Sequence, residues 1–318
     1  MTLESPTNFS ERQQRIATYF LVLSTVFWGC SFTWAKYVGD VANVRLGIGL
    51  NHSAGPILTL GYRFTIAAIL WFIVFPQARK GWSKVSVYRG LFIGVLMSAA
   101  MVLQMLGLNL TSESVSAFLT ALTILFVPLI AMLRVFRSPS PALWVGVVLA
   151  TLGIWLLTGA TPQGFGLGEV LGIGCAIAFT FYIFAVNTLV PRDNPFRITG
   201  MSMLLTGILC FAVAAILISH NGMMDWGIMI APDVRWRMVL LILLPTVAAF
   251  GILTYFQPQI DPTRAALIYL CEPIFAVIYA YLERGRTLSF VQFGGATLII
   301  AANVIVEMLE HWKKTRKE

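Results

Sequence analysis

Residues 263–289 read TRAALIYLCEPIFAVIYAYLERGRTLS, and the reading of this stretch decides the fold. It is apolar over the roughly 20 residues that a helix needs to cross the hydrocarbon core of a bilayer. Near its centre stand Glu272 and Pro273. At 1.5 Å per residue, Glu272 lies roughly 15 Å in from Thr263, which is midplane depth. An acid there costs about 2.5–3.5 kcal/mol on insertion scales, so it marks function unless it is paired. A proline inside a helix removes a hydrogen bond and leaves a carbonyl, here that of Tyr269, without its partner. Lipid cannot satisfy that carbonyl. The stretch therefore predicts a helix broken at Pro273, with its polar face turned towards protein or a water-filled cavity.

The composition puts the rest of the chain in the same setting. Of 318 residues, 58% are hydrophobic and 11% charged, and the mean hydropathy is +0.81. A soluble domain is nearer half apolar and a quarter charged, so this is a polytopic membrane protein, expected to lie in a lipid bilayer. The net charge of +8 sits in short loops and at the C-terminus. Membrane topology and anionic headgroups account for it without nucleic acid. Cys30, Cys175, Cys210 and Cys271 fall inside apolar runs without metal-ligand spacing, and read as small packing residues rather than disulfides. His52, His220 and His311 lie in loops or a tail, so no metal site is expected. No small-residue cleavage site follows the first apolar run, so no cleavable leader is expected.

Ten apolar spans are expected, at about 17–37, 56–75, 89–109, 114–133, 141–159, 168–190, 198–219, 237–257, the opening stretch, and 289–309. Residues 1–16 and 312–318 read as polar tails, and 38–55 as a Gly/Asn-rich connection. An even number of spans puts both termini on one side. Segments on that side hold fifteen Lys and Arg against five on the other, leaving Lys36 and Arg63 aside. The positive-inside rule then makes the termini cytoplasmic.

The two halves echo each other, with the first repeat at 17–160 and the second at 161–311. Residues 146–153, GVVLATLG, align with 294–301, GGATLIIA, and the fourth and ninth spans each carry a central proline, Pro128 and Pro273. Five spans is an odd number, so the second copy is inverted. Inverted repeats with interrupted helices at matching places are a transporter signature, with the site near the midplane.

Five passages carry a family resemblance. They are WGCSFTWAK at 28–36, GYRFTIAA at 61–68, SAFLTALTILFVPLIA at 116–131, DPTRAALIYLCEPIFAVIYAYL at 261–282, and the glycine-rich fifth and tenth spans. In this order over residues 17–309, the chain resembles the drug/metabolite transporter superfamily, in its bacterial EamA-type ten-span members. The resemblance implies an all-α integral membrane fold, two inverted five-helix bundles around a central cavity, in the bacterial inner membrane. The Gly-Glu pair frequent after the family's fourth and ninth spans is absent, since this chain has Phe136-Arg137-Ser138 and Gly285-Arg286-Thr287 there. Glu-Pro at 272–273 is frequent across members with different substrates, which favours an architectural or coupling role.

The candidate site residues follow from depth and polarity. Glu272 reads as an ionisable site for a proton or an amine group, or as a structural acid holding the helix break. Lys36 and Arg63 fall in the outer half, as attractors for carboxylate or phosphate or as snorkelling anchors. Trp28 reads as a cavity wall, and Gln104, Thr120, Tyr182 and Tyr269 as cavity polar groups, with Thr123, Tyr255 and Gln257 beside them. Helix–helix packing explains each of these singly. GxxxxGK[ST], HExxH and GxSxG are all missing, so energy would come from a gradient or from the substrate itself, with no cofactor. The expected activity is secondary transport of a small organic solute, such as an amino acid, as exporter or importer, by a monomer or homodimer. An intramembrane enzyme on lipid-linked substrates and a non-transporting scaffold stay open on the residues alone.

Overall fold

The computed structural model describes residues 9–50, 52–111, 113–135, 140–159, 166–218, 227, 231–284 and 289–315. The described residues are helical almost throughout, and their connections are short. Much of the loop at 220–235, the family-variant positions 136–138 and 285–287, and the boundary at 160–161 lie outside the described residues.

Helix α1, Glu11–Arg45, is longer at both ends than the 17–37 span. Its start is set by a capping box: Ser10 Oγ accepts from the Gln13 N–H, and Gln13 Oε1 accepts from the Ser10 N–H at 2.9 Å. The polar tail is thus helical from Glu11. The connection at 38–55 is largely helix too, and its remainder is tied to Asn43. The Asn43 amide donates to Leu50 O at 3.1 Å and His52 O at 2.7 Å, and its oxygen accepts from the Gly55 N–H at 2.8 Å.

Helix α2, Ala54–Val74, and the short α3, Pro76–Arg79, lead to α4, Lys84–Leu110. Counting the longer helical runs along the described chain as passes, the fourth is split into α5, Glu113–Ala121, and α6, Thr123–Val135. Helix α7, Pro141–Thr158, closes the first half. The second half begins with α8, Leu167–Leu189, continued by a 3-10 turn, Val190–Arg192, and then α9, Pro195–Ile218. The eighth pass is α10, Arg235–Ile242, a π-helical stretch, Leu243–Ala248, and α11, Ala249–Phe256. The ninth is α12, Pro262–Tyr269, and α13, Cys271–Arg284, and α14, Phe290–Thr315, ends the chain. Six of these helical segments are long and apolar enough to cross a membrane, and three shorter ones are apolar.

Small residues set the directions of packing. Gly61 lies on Phe211, Gly207 on Thr65 and Gly200 on Phe72, so α2 and α9 run antiparallel. Gly146 meets Val306 and Gly153 meets Gly295, so α7 and α14 do the same. Helix α4 runs against α8, with Gly107 on Gly168, and alongside α9, with Gly90 on Met201. Helix α1 runs alongside α13, with Gly29 on Phe275 and Trp34 against Tyr279. These directions bring the described chain ends, near Phe9 and Thr315, to one face, the end face. The opposite side is the far face.

Buried hydroxyls donate back into their own helices, as Thr59 does to Gly55 O and Thr180 to Ala176 O. That satisfies them where water is missing. Large apolar side chains such as Phe290, Leu282, Leu133 and Ile216 are exposed on the outside, where lipid receives them.

The close contact of α7 with α14 gives a prediction. A Cβ at Gly295 would lie 2.5 Å from Leu157 N and 2.6 Å from Gly153 O, both backbone atoms that no rotamer change can move. At Gly294 nothing lies within 4 Å. Gly295→Val is therefore expected to destabilise by about 1–3 kcal/mol, the usual cost of overpacking, and Gly294→Val to be near neutral. Thermal unfolding in detergent, followed by size-exclusion chromatography, compares the two.

Candidate functional site

The ninth pass breaks at Leu270, between α12 and α13, and not within a helix at Pro273. Cys271, Glu272 and Pro273 form the first turn of α13. First-turn N–H groups have no intrahelical acceptor, so a proline there costs no helical hydrogen bond. Proline thus starts the second half-helix. Glu272 lies at the positive end of that half-helix, where a carboxylate is favoured.

The fourth pass also breaks before its proline. The interruption is at Leu122, and Pro128 is carried inside α6. Two threonines flank the interruption. Thr120 Oγ1 donates to Ser116 O at 3.0 Å, and Thr123 Oγ1 donates to Thr120 O at 2.7 Å and to Ala176 O at 3.3 Å. Side-chain hydroxyls take up carbonyls at the point where the helical ladder lapses. Leu122 and Leu270 stand 148 residues apart, as do Gly146 and Gly294.

Around these breaks the structure gathers most of the candidates. Gln104 Nε2 of α4 lies 3.5 Å from Thr120 Oγ1, which is 3.8 Å from Cys175 Sγ of α8. Cys175 is within electrostatic reach of Glu272. Trp28 packs against Tyr269, with ring centroids 5.6 Å apart, and against Phe250 at 5.3 Å. Next to Trp28, the Gly29 backbone lies directly on Phe275 and Ala276, so α1 covers the turn above Glu272. Tyr269 packs against all three of the larger apolar clusters, and is the hub between the halves.

Tyr269 also ends a buried polar chain. Its hydroxyl donates to Gln257 Oε1 at 2.7 Å. Gln257 is fully buried, and its amide donates to Ile183 O at 2.9 Å and to Asn187 Oδ1. Asn187 donates in turn to Ile260 O at 2.9 Å. Tyr182, also buried, is bonded to Thr254 of α11.

Arg63 is buried and is held by the π-helical stretch. Pro245 has no N–H for Leu241 O, and Thr246 Oγ1 donates to that carbonyl at 2.7 Å instead. The displaced turn presents Pro245 O to two donors, Trp28 Nε1 at 3.0 Å and Arg63 Nη2 at 3.1 Å, while Arg63 Nε donates to Thr246 Oγ1. Such π-bulges are frequent at functional sites. Arg63 and Glu272 are within electrostatic reach, though no ion pair under 4 Å joins Glu272 to any of the described residues. Glu272 itself is half-buried and keeps some accessible surface deep in the bundle.

Two sequence candidates stand apart. Lys36 is exposed on α1, and Tyr255 is exposed on α11. Asn187, Thr246 and Thr254 join the network beyond the sequence candidates, and Cys175, which reads along the chain as a packing residue, lies beside Thr120. Pro245, a proline in mid-span followed by a threonine, is the available signal for the π-helical stretch that holds Arg63.

Two blocks of this chain, residues 15–159 and 166–308, match the profile of the EamA-like transporter family. The chain belongs to that family. Two proteins of Archaeoglobus fulgidus, each named an uncharacterized transporter, are similar to it. One is 25% identical over 295 residues, covering 91% of this chain and 84% of the relative. The other is 24% identical over 291 residues, covering 90% and 96%. A solved crystal structure with 18% sequence identity superposes with a TM-score of 0.72 over 93% of this chain and 97% of the other, so the fold is shared. This EamA-like protein is a multi-pass, all-helical membrane protein of the transporter class.

Proposed function

We propose that the protein is a secondary transporter that moves a small organic solute, such as an amino acid or a related metabolite, by alternating access. It works in a bacterial cytoplasmic membrane as ten crossings in two inverted repeats, with both termini in the cytoplasm. The observation that carries the reading is the pair of helix breaks at Leu122 and Leu270, one of which sets Glu272 on the first turn of a half-helix deep in the bundle. Half-helix ends at the midplane are where transporters of this kind hold charged groups and ions. The antiparallel pairing of α2 with α9 and of α7 with α14 supports the inversion, because a twofold axis in the membrane plane turns each of these helices onto its equivalent.

Glu272 is the group for a coupling proton or a substrate amine. Trp28 and Tyr269 form the wall beside it, and Gln104 and Thr120 supply hydrogen bonds from the other half. Arg63 shapes the field at Glu272 while it fastens α2 to the eighth pass. Lys36 is a mouth residue rather than a member of this group.

The test is uptake by the purified protein in proteoliposomes. A panel of amino acids, amines and organic acids is offered with and without an imposed proton gradient. At least one class is expected to enter saturably and to exchange in counterflow. Absence of saturable uptake and exchange for every class, with protein shown to be folded, would overturn the reading.

A further inference from the structure

Arg45 and Asp193 stand 148 residues apart, the same separation as the two helix breaks. Arg45 ends α1, and Asp193 follows the turn that ends α8. Each reaches across to the start of a helical pass in the other half. On the far face, Arg45 Nη2 meets Asp233 Oδ1 at 3.0 Å, just before α10. On the end face, Asp193 Oδ2 meets Arg89 Nη1 of α4 at 3.3 Å. Equivalent positions thus carry opposite charges, and each finds its complement in the opposite half.

The two pairs are unequal. The far-face side chains are 36% and 42% exposed and share a single contact. On the end face, Asp193 is 4% exposed and also binds Arg197 Nη2 at 2.9 Å. Arg197 donates onward to Lys80 O and Gly81 O in the first half, and Arg89 donates to Arg192 O in the second. Burial works against the charge of Asp193, but the Ser86 hydroxyl, the Asn194 N–H, Arg197 and Arg89 outweigh it and hold the carboxyl below its ordinary value. A group lowered in this way stabilises the fold above the unfolded-state pKa and loses that contribution only as pH falls through the folded value, so the cluster keeps its charge throughout the physiological range.

We propose that the two pairs are opposed latches of the transport path, and that their inequality biases the resting protein towards a state locked on the end face and ready to open on the far face. Both bridge the two halves, so either face can open only when its own pair parts. An exposed pair in water holds weakly. Removing one partner of a part-buried, multiply hydrogen-bonded cluster leaves charges uncompensated, and so shifts the balance more. The inference rests on the alternating-access reading, but its test needs no substrate.

The experiment is hydrogen–deuterium exchange of the full chain in nanodiscs, comparing the loops of the two faces. In Asp193→Asn, exchange around residues 80–86 and 190–197 is expected to rise at least tenfold, while exchange around 44–50 and 231–236 falls. Arg45→Gln is expected to do the reverse, with changes of about threefold or less. Asp193→Glu should keep the wild-type pattern. If Asp193→Asn does not fold, Arg89→Gln decides by the same reciprocity. Loosening confined to the mutated face, or no change on either face, would overturn the latches. Reciprocal exchange in a protein that moves no solute would uphold them and sink the transport reading. Transport without reciprocity would do the opposite.

Discussion

Glu272→Gln is expected to abolish gradient-driven accumulation in proteoliposomes, so that the solute only equilibrates, while the protein keeps its thermal stability. Gln has the size of Glu and fits the same first turn of α13. None of the described residues forms an ion pair with Glu272, so the exchange breaks no short contact, and buried Arg63 loses only the attraction of a more distant charge. The change therefore removes a charge and a proton-binding group and little else. Counterflow of a bound solute should survive if the carboxylate serves the proton, and should fail if it holds the solute amine. Glu169→Gln is the control, because Glu169 only caps α8 through the Gly166 N–H at 2.8 Å. Uptake equal to wild type with an unchanged pH dependence would remove Glu272 from coupling.

Gln257→Leu is expected to lower stability by about 3 kcal/mol or more, measured as a fall in thermal midpoint or in denaturant resistance. Two buried groups lose their partner at once, the Tyr269 hydroxyl and Asn187 Oδ1, and Ile183 O, inside α8, loses the second of its donors. Each orphaned buried group costs about 1–3 kcal/mol, and little water is at hand to replace the amide. The loss falls on Tyr269, the last residue of α12 before the break. Transport should drop together with stability. Gln257→Glu, which keeps an acceptor for Tyr269 but loses the donor to Ile183 O, should fall between the two. A leucine variant as stable as wild type would show that the buried chain is not what holds the ninth pass in place.

Several features of this molecule could be read along the chain. Long apolar runs fix the membrane setting, because no soluble surface accommodates them. The Gly-rich fifth and tenth spans and the two prolines reveal the internal repeat, and Glu272 is conspicuous as an acid in an apolar run. The breaks were harder to place. Proline was the visible cue, but the break lies at Leu122, six residues before Pro128, between the back-bonded hydroxyls of Thr120 and Thr123. Pro273 misled in the other direction, since a proline at a helix start is free of the penalty it carries inside one.

The sequence by itself determined the membrane fold class, the two-fold internal repetition and a deep acid beside a helix interruption, since hydropathy, spacing and residue chemistry are local. Only the tertiary structure decided which polar groups lie near that acid and which are taken up elsewhere. Arg63 reads along the chain, with Lys36, as an attractor for anions or a snorkelling anchor, yet it is bound to Pro245 and Thr246, about 180 positions further on. Asp193, in the connection between α8 and α9, is the centre of a part-buried charge cluster. Those partners are set by how helices distant in sequence cross, through glycine contacts and one π-helical turn. Spacing along a single helix carries no record of them.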